Sequence, residues 1–148
     1  MMRRTTVVLL CALGGSPALP AGNLSPTELR DANRGNLNNL VVEMAKTDVL
    51  KLMGTQVVKA GPSFEGVKLI NNPFRTETLL SGDGSKTLEV LFFYTYEDQE
   101  SDITITNGDL TPLVVEEGKL KGWGWIFVKQ IAKLYDIDIR IDGLGGGD

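Results

Sequence analysis

The chain predicts an α+β domain, with an N-terminal helix hairpin packed on a three- to four-stranded antiparallel sheet and one more helix at the C-terminal end. Three observations carry this reading. A capping box at Ser25-Pro26-Thr27-Glu28 announces helix before any strand signal. Runs of two-residue period separated by turn residues fill the stretch from 75 to about 123. A helical period then returns, with Phe127, Val128, Ile131, Ala132, Leu134 and Tyr135 on one side and Lys129, Gln130 and Lys133 opposite. Helices and strands are segregated along the chain rather than alternating, which favours α+β layers over crossover units.

The first helix begins at Ser25 and should turn Leu29, Ala32, Leu37 and Leu40 inward, although Gly35 and the asparagines 33, 36, 38 and 39 weaken it. A second helix is expected over Lys46–Met53, ended by Gly54. The stretch 57–74 holds two glycines, two prolines and paired asparagines, and reads as one short strand and a long loop. Residues 75–80, 81–84 and 86–96 form a hairpin pattern; its second strand has one fully apolar face of Leu88, Val90, Phe92, Tyr94 and Tyr96. A second hairpin follows, with Leu110–Val115 turning at Glu116-Glu117-Gly118 into KLKGWG. After the last helix, DIDIRID (136–142) alternates and is read as an edge strand or extended tail.

Length fits one domain. At the N-terminus, Arg3 and Arg4 precede the short apolar run TTVVLLCALGG, and small residues follow it, the layout of a secretory signal peptide over residues 1–21. Cleavage is expected after Ala18 or Ala21, leaving a single domain over 22–142 and a flexible glycine-rich tail at 143–148. The run is too short to span a bilayer. The single cysteine, Cys11, lies inside it behind Leu10, where a lipidated cysteine would need a small residue, so no lipid anchor is expected. These features predict an exported protein of the periplasm or cell envelope, not a transmembrane one.

Composition closes off several function classes. A net charge of −4, moving to −6 once Arg3 and Arg4 are removed, provides no basic footprint for nucleic acid or anionic lipid. The absence of histidine removes Ser-His-Asp and Cys-His nucleophile systems and imidazole zinc sites. Glu89 beside Tyr94 or Glu77 is the only pairing that resembles acid–base machinery, and nothing in the sequence marks it as such, so no enzyme and no cofactor are expected. In the acidic loop 97–109, Asp98, Glu100 and Asp102 sit at alternate positions of an EF-hand-like count. Ile103 stands where that loop needs glycine, and the flanks are strands, so the loop reads as solvated; a calcium- or small-ligand-binding domain is the alternative function.

Both tryptophans follow glycines, at Gly122-Trp123 and Gly124-Trp125. Strict alternation puts Trp123 and Trp125 on the parity of Lys119 and Lys121, the expected solvated face, unless a bulge at one of the glycines turns Trp123 inward. Two readings stay open. Trp123 and Trp125 are ordinary core beneath the following helix, or Leu91, Phe93, Trp123 and Trp125 make an apolar protein-binding surface. The terminal stretch Asp136–Asp142 is a second candidate surface, by strand addition.

The segments NLNNLVVEMAKTDVLKLMGT (36–55), INNPFRTETL (70–79), EVLFFYTY (89–96) and LTPLVVEEGKLKGWGW (110–125) together resemble a family of uncharacterised bacterial envelope proteins similar to the BamE/SmpA-like outer-membrane lipoproteins. The resemblance spans roughly residues 36–125. It implies two helices followed by a three-stranded antiparallel sheet, no catalysis, and a small scaffold that holds an envelope protein partner. Two positions depart from the pattern: Glu43 and Ala45 stand where it has glycine and a Ser/Thr helix cap, which suggests a second helix starting at Thr47.

Overall fold

The computed structural model describes residues 24–63, 66–97 and 105–139. Helix α1 (Pro26–Leu37) opens as its sequence requires: the Glu28 N–H donates to the Ser25 hydroxyl at 3.2 Å, and the Ser25 N–H donates to the Glu28 carboxylate at 2.8 Å. The Ser25 N–H, together with the Ser25 hydroxyl that donates to the same carboxylate at 2.9 Å, holds the Glu28 carboxyl below its ordinary range. Helix α2 (Lys46–Met53) has the expected span, with Ala45 rather than a later residue at its head and no side-chain cap there. Between the helices, Met44 closes a turn onto the Val41 carbonyl, and Glu43 takes φ 72°. Both departures from the pattern therefore fall where local geometry would use its residues: glycine for a left-handed turn and a hydroxyl for a helix cap.

The expected α+β class is the one found, with two antiparallel sheets instead of one. Strands β1 (Val58–Ser63) and β2 (Gly66–Ile70) pair as a separate two-stranded ribbon, where the sequence suggested one strand and a loop. The register between them shifts between Lys59 and Pro62, and in a two-stranded ribbon such an irregularity absorbs a proline that an interior strand would reject. The main sheet runs β3 (Arg75–Leu80), β4 (Thr87–Tyr94), β5 (Leu110–Glu116) and β6 (Lys119–Trp123), neighbours in chain order and all antiparallel. Helix α3 (Trp125–Leu134) completes the chain of elements.

Both faces of the main sheet are covered. On one, Leu91, Phe93, Leu113, Val115 and Leu120 pack with Val49 and Met53 of α2 and with Leu40. On the other, Leu88, Val90, Phe92, Tyr94, Leu110 and Val114 pack with Val128 of α3. Every residue of β5 is buried as a result, which is why LTPLVV reads as a continuous apolar run rather than an alternating one. Helix α1 places Leu29 in a smaller third core with Val58, Ala60 and Ile70, while its last residue, Leu37, packs against the α2-side core. The terminal edge strand is absent over the described residues. Residues 137–139 carry no strand; Ile137 and Ile139 pack on the α3 side of the sheet.

One polar pair sits inside this apolar frame. Asn33 of α1 and Asn72, between β2 and β3, exchange side-chain amide hydrogen bonds at 3.0 and 3.1 Å. Asn33 also donates to the Tyr94 carbonyl, and Asn72 donates to the carbonyls of Met53 and Gly54 at the end of α2. Asn33 is fully buried and Asn72 nearly so. From the sequence alone Asn33 reads only as a helix weakener. Its place four residues after Leu29, on the inward side, is the signal that was available.

The β3–β4 turn is organised by Asp83, whose carboxylate accepts from the Ser81 hydroxyl at 2.6 Å, the Ser85 hydroxyl at 2.7 Å and the Ser85 N–H at 2.9 Å. These donors bring its pKa down from 3.8 to about 2.

Removing the Asn33 amide by Asn33→Ala leaves Asn72 and the Tyr94 carbonyl short of partners and should cost about 2–3 kcal/mol in urea denaturation. The double variant Asn33→Ala/Asn72→Ala should cost clearly less than the sum of the single changes. For Asp83 the depressed folded pKa contributes stability that is present above the unfolded value and is lost as pH falls toward about 2. Asp83→Asn should therefore flatten the acid limb of the stability curve between about pH 4 and about pH 2.

Candidate functional site

Trp123 and Trp125 lie on opposite faces of the main sheet. The pairing of β5 with β6 steps from Val115–Leu120 to Val114–Gly122, so Lys121 has no opposite number and forms a bulge. That extra residue puts Trp123 on the same face as Leu120, against the α2-side core, where it is half-buried. Gly124 then takes φ 91°, a conformation costly for any residue with a Cβ, and its N–H bonds the Pro112 carbonyl at 2.8 Å. This turn carries the chain across the sheet rim into α3. Trp125, the first residue of that helix, reaches the other core, donates its indole N–H to the Leu110 carbonyl at 2.8 Å and tilts against Phe92.

Gly122 has a different task. A Cβ there would meet three ring atoms of Phe127 at 2.7 Å, so the bare backbone of β6 is what lets α3 close onto the sheet.

An outer apolar patch is not what these residues build. Leu91 and Phe93 are 2% and 0% exposed beneath α2, because the α2 layer occupies the face expected to be open. Glu89 lies on that same face and is paired with Lys46 at 2.5 Å, whereas Tyr94 and Glu77 lie on the α3 side; the three do not converge. Asp98, Glu100 and Asp102 fall outside the described residues, and so do residues 140–142 of the terminal candidate strand. Among the described residues no group of acidic side chains is placed to hold a metal ion.

A cavity of about 350 Å³ opens at the start of β4 and the end of β5, between Lys86, Glu89, Glu116 and Glu117. Its charges are largely matched from within. Lys86 lies 3.4 Å from the Glu116 carboxylate, the Tyr135 hydroxyl donates to the same carboxylate at 3.2 Å, and Lys46 holds Glu89. No buried side-chain polar atom among the described residues lacks a hydrogen-bond partner.

What stays open is an edge. The β6 edge is occupied by the segment that leads into α2: Glu43 donates its N–H to Leu120, Leu120 to Met44, and Lys46 to Gly118, at 2.7–2.8 Å. The Glu43 carboxylate reinforces this cover by accepting from Lys121 at 2.7 Å, which lowers its own pKa and raises that of Lys121. No element takes the corresponding place beside β3 among the described residues. The Ser81 N–H bonds the Lys86 carbonyl, which sets the phase of the ladder. By alternation, Arg75, Glu77 and Leu79 turn their backbone groups to β4, while Thr76, Thr78 and Leu80 turn theirs outward. Thr76, Glu77 and Thr78 are exposed, and Leu80 is 60% exposed.

Gly122→Ala should drive the Phe127 ring off the sheet and destabilise the domain by about 1–3 kcal/mol, partly restored by Phe127→Leu. Phe93→Ala should cost about 3–5 kcal/mol, as for a core aromatic rather than an exposed contact residue. Thermal and urea unfolding of the purified variants check both.

Among the described residues no helix is long and apolar enough to cross a membrane. No curated protein and no solved structure matches the chain. Residues 21–130 match the family described as "Protein of unknown function (DUF3192)", and with most of its length inside that match the chain belongs to this family.

Proposed function

We propose that the domain is an exported, non-enzymatic protein-binding module of the cell envelope, and that its partner adds an extended segment to the β3 edge. The observation that carries this reading is the asymmetry of the main sheet. Both faces are filled and the β6 edge is covered from within the chain, while β3 presents outward backbone groups at Thr76, Thr78 and Leu80. Strand addition draws its affinity from such groups and its specificity from the alternating side chains beside them.

Export is supported by the layout of residues 1–21, and the family match begins only at residue 21. The resemblance to small envelope scaffolds of BamE/SmpA-like type points the same way, as an analogy of fold and pattern. A periplasmic partner fits the acidic, histidine-free surface better than nucleic acid or anionic lipid does.

A photoreactive residue placed at Thr78 in the full-length protein, in the cells that make it, tests the proposal. One recurrent protein adduct is expected, and Thr76→Pro, which removes an outward N–H that the sheet itself does not use, should abolish it. A stably folded protein that gives no adduct from positions 76, 78 or 80 would exclude this edge as the binding surface.

A further inference from the structure

We infer that the β3 edge also pairs with its own copy, antiparallel about Thr76, so that two domains share one continuous eight-stranded sheet. The inference rests on reading β3 as a working edge and names one occupant for it.

The warrant is charge complementarity. On the α3 side of β3 stand Arg75 and Glu77, joined within the chain at 2.8 Å, and Glu77 is half exposed. An unmatched strand laid along this edge would desolvate this charge pair and bring no complementary charges of its own, which is how natural edges repel pairing. The segment Arg75-Thr76-Glu77 is its own antiparallel complement. With the two-fold axis at Thr76, Arg75 of each copy lies opposite Glu77 of the other, and Thr76 faces Thr76. Both contacts are favourable cross-strand pairs.

The neighbouring registers are worse. An axis at Glu77 sets the two carboxylates against each other. An axis at Thr78 sets Glu77 against Leu79 and Arg75 against Ser81, leaving both charges unmatched. The ladder phase allows the Thr76 register, because its backbone N–H and C=O point outward and can be exchanged across the axis.

Sedimentation equilibrium over a micromolar-to-millimolar series should show a reversible dimer of the full chain. Glu77→Arg, at a half-exposed site, should weaken it roughly tenfold or more by placing arginines opposite each other twice. Arg75 also bonds Asn107 and stacks on Phe92, so its own substitution risks the fold. A cysteine pair supplies the second test. In a Cys11→Ser background, Thr76→Cys sits on the axis at a spacing suited to a disulfide, and diamide should convert it to a covalent dimer far faster than Thr78→Cys. A wild-type protein that stays monomeric throughout, or a dimer indifferent to Glu77→Arg with equal crosslinking at 76 and 78, would overturn the inference. A monomer that still gives a heterologous adduct from Thr78 would remove self-pairing and leave the proposed function standing. A Thr76-specific covalent dimer without any such adduct would do the reverse.

Discussion

The reciprocal amide pair of Asn33 and Asn72 is the interaction on which the rest of the arrangement depends. It joins four parts of the chain that share no strand ladder: α1, the C-terminal end of α2, the connection from β2 to β3, and the far end of β4. Each buried amide group would cost about 1–3 kcal/mol if left unpaired, so the pair is stable only when all four parts are in place. A fully bonded polar pair in an apolar setting selects one packing among many of similar burial. Here it sets the end of α2 beside β4, which places Val49 and Met53 over Leu91 and Phe93.

That placement has a cost in available surface. Once α2 covers one face and α3 the other, the large apolar side chains of β4 and β5 are used for folding, and only Trp123 of β6 stays half-buried among the large apolar side chains of these three strands. The two tryptophans show how tightly the two layers are linked. A one-residue bulge at Lys121 and a left-handed glycine at 124 send them to opposite cores within three residues. Gly122 then lets the α3 layer close to contact distance through Phe127. The same few residues end β6, start α3 and complete both cores.

Backbone pairing follows the same division. The α1–α2 connection covers β6 with three main-chain hydrogen bonds and an ion pair, and the turn that allows it holds Glu43 in a left-handed conformation. Strain there, set against a β3 that exposes Thr76, Glu77, Thr78 and Leu80, leaves the two edges chemically unlike. What the main sheet leaves open among the described residues is therefore the outward backbone of β3 rather than either face.

The helix caps, the hairpins and the returning helical period were legible in the sequence because each depends on residues within a few positions of one another. The Ser25–Glu28 box, the turn at Asp83 and the span of α2 are of this kind. The second sheet was missed because Gly and Pro at 61–62 read as breakers, and only pairing across the ribbon shows the register shift that admits them. Trp125, grouped from the sequence with Leu91, Phe93 and Trp123, lies on the other face, but those three share one. Whether that face met solvent was undetermined, since hydropathy marks a side chain for burial without naming the element that buries it. The sequence by itself determined most of the local elements and the absence of imidazole chemistry. Tertiary structure alone decided which helix covers which face, which edge is closed and what Asn33 is for, because those outcomes rest on contacts between residues tens of positions apart.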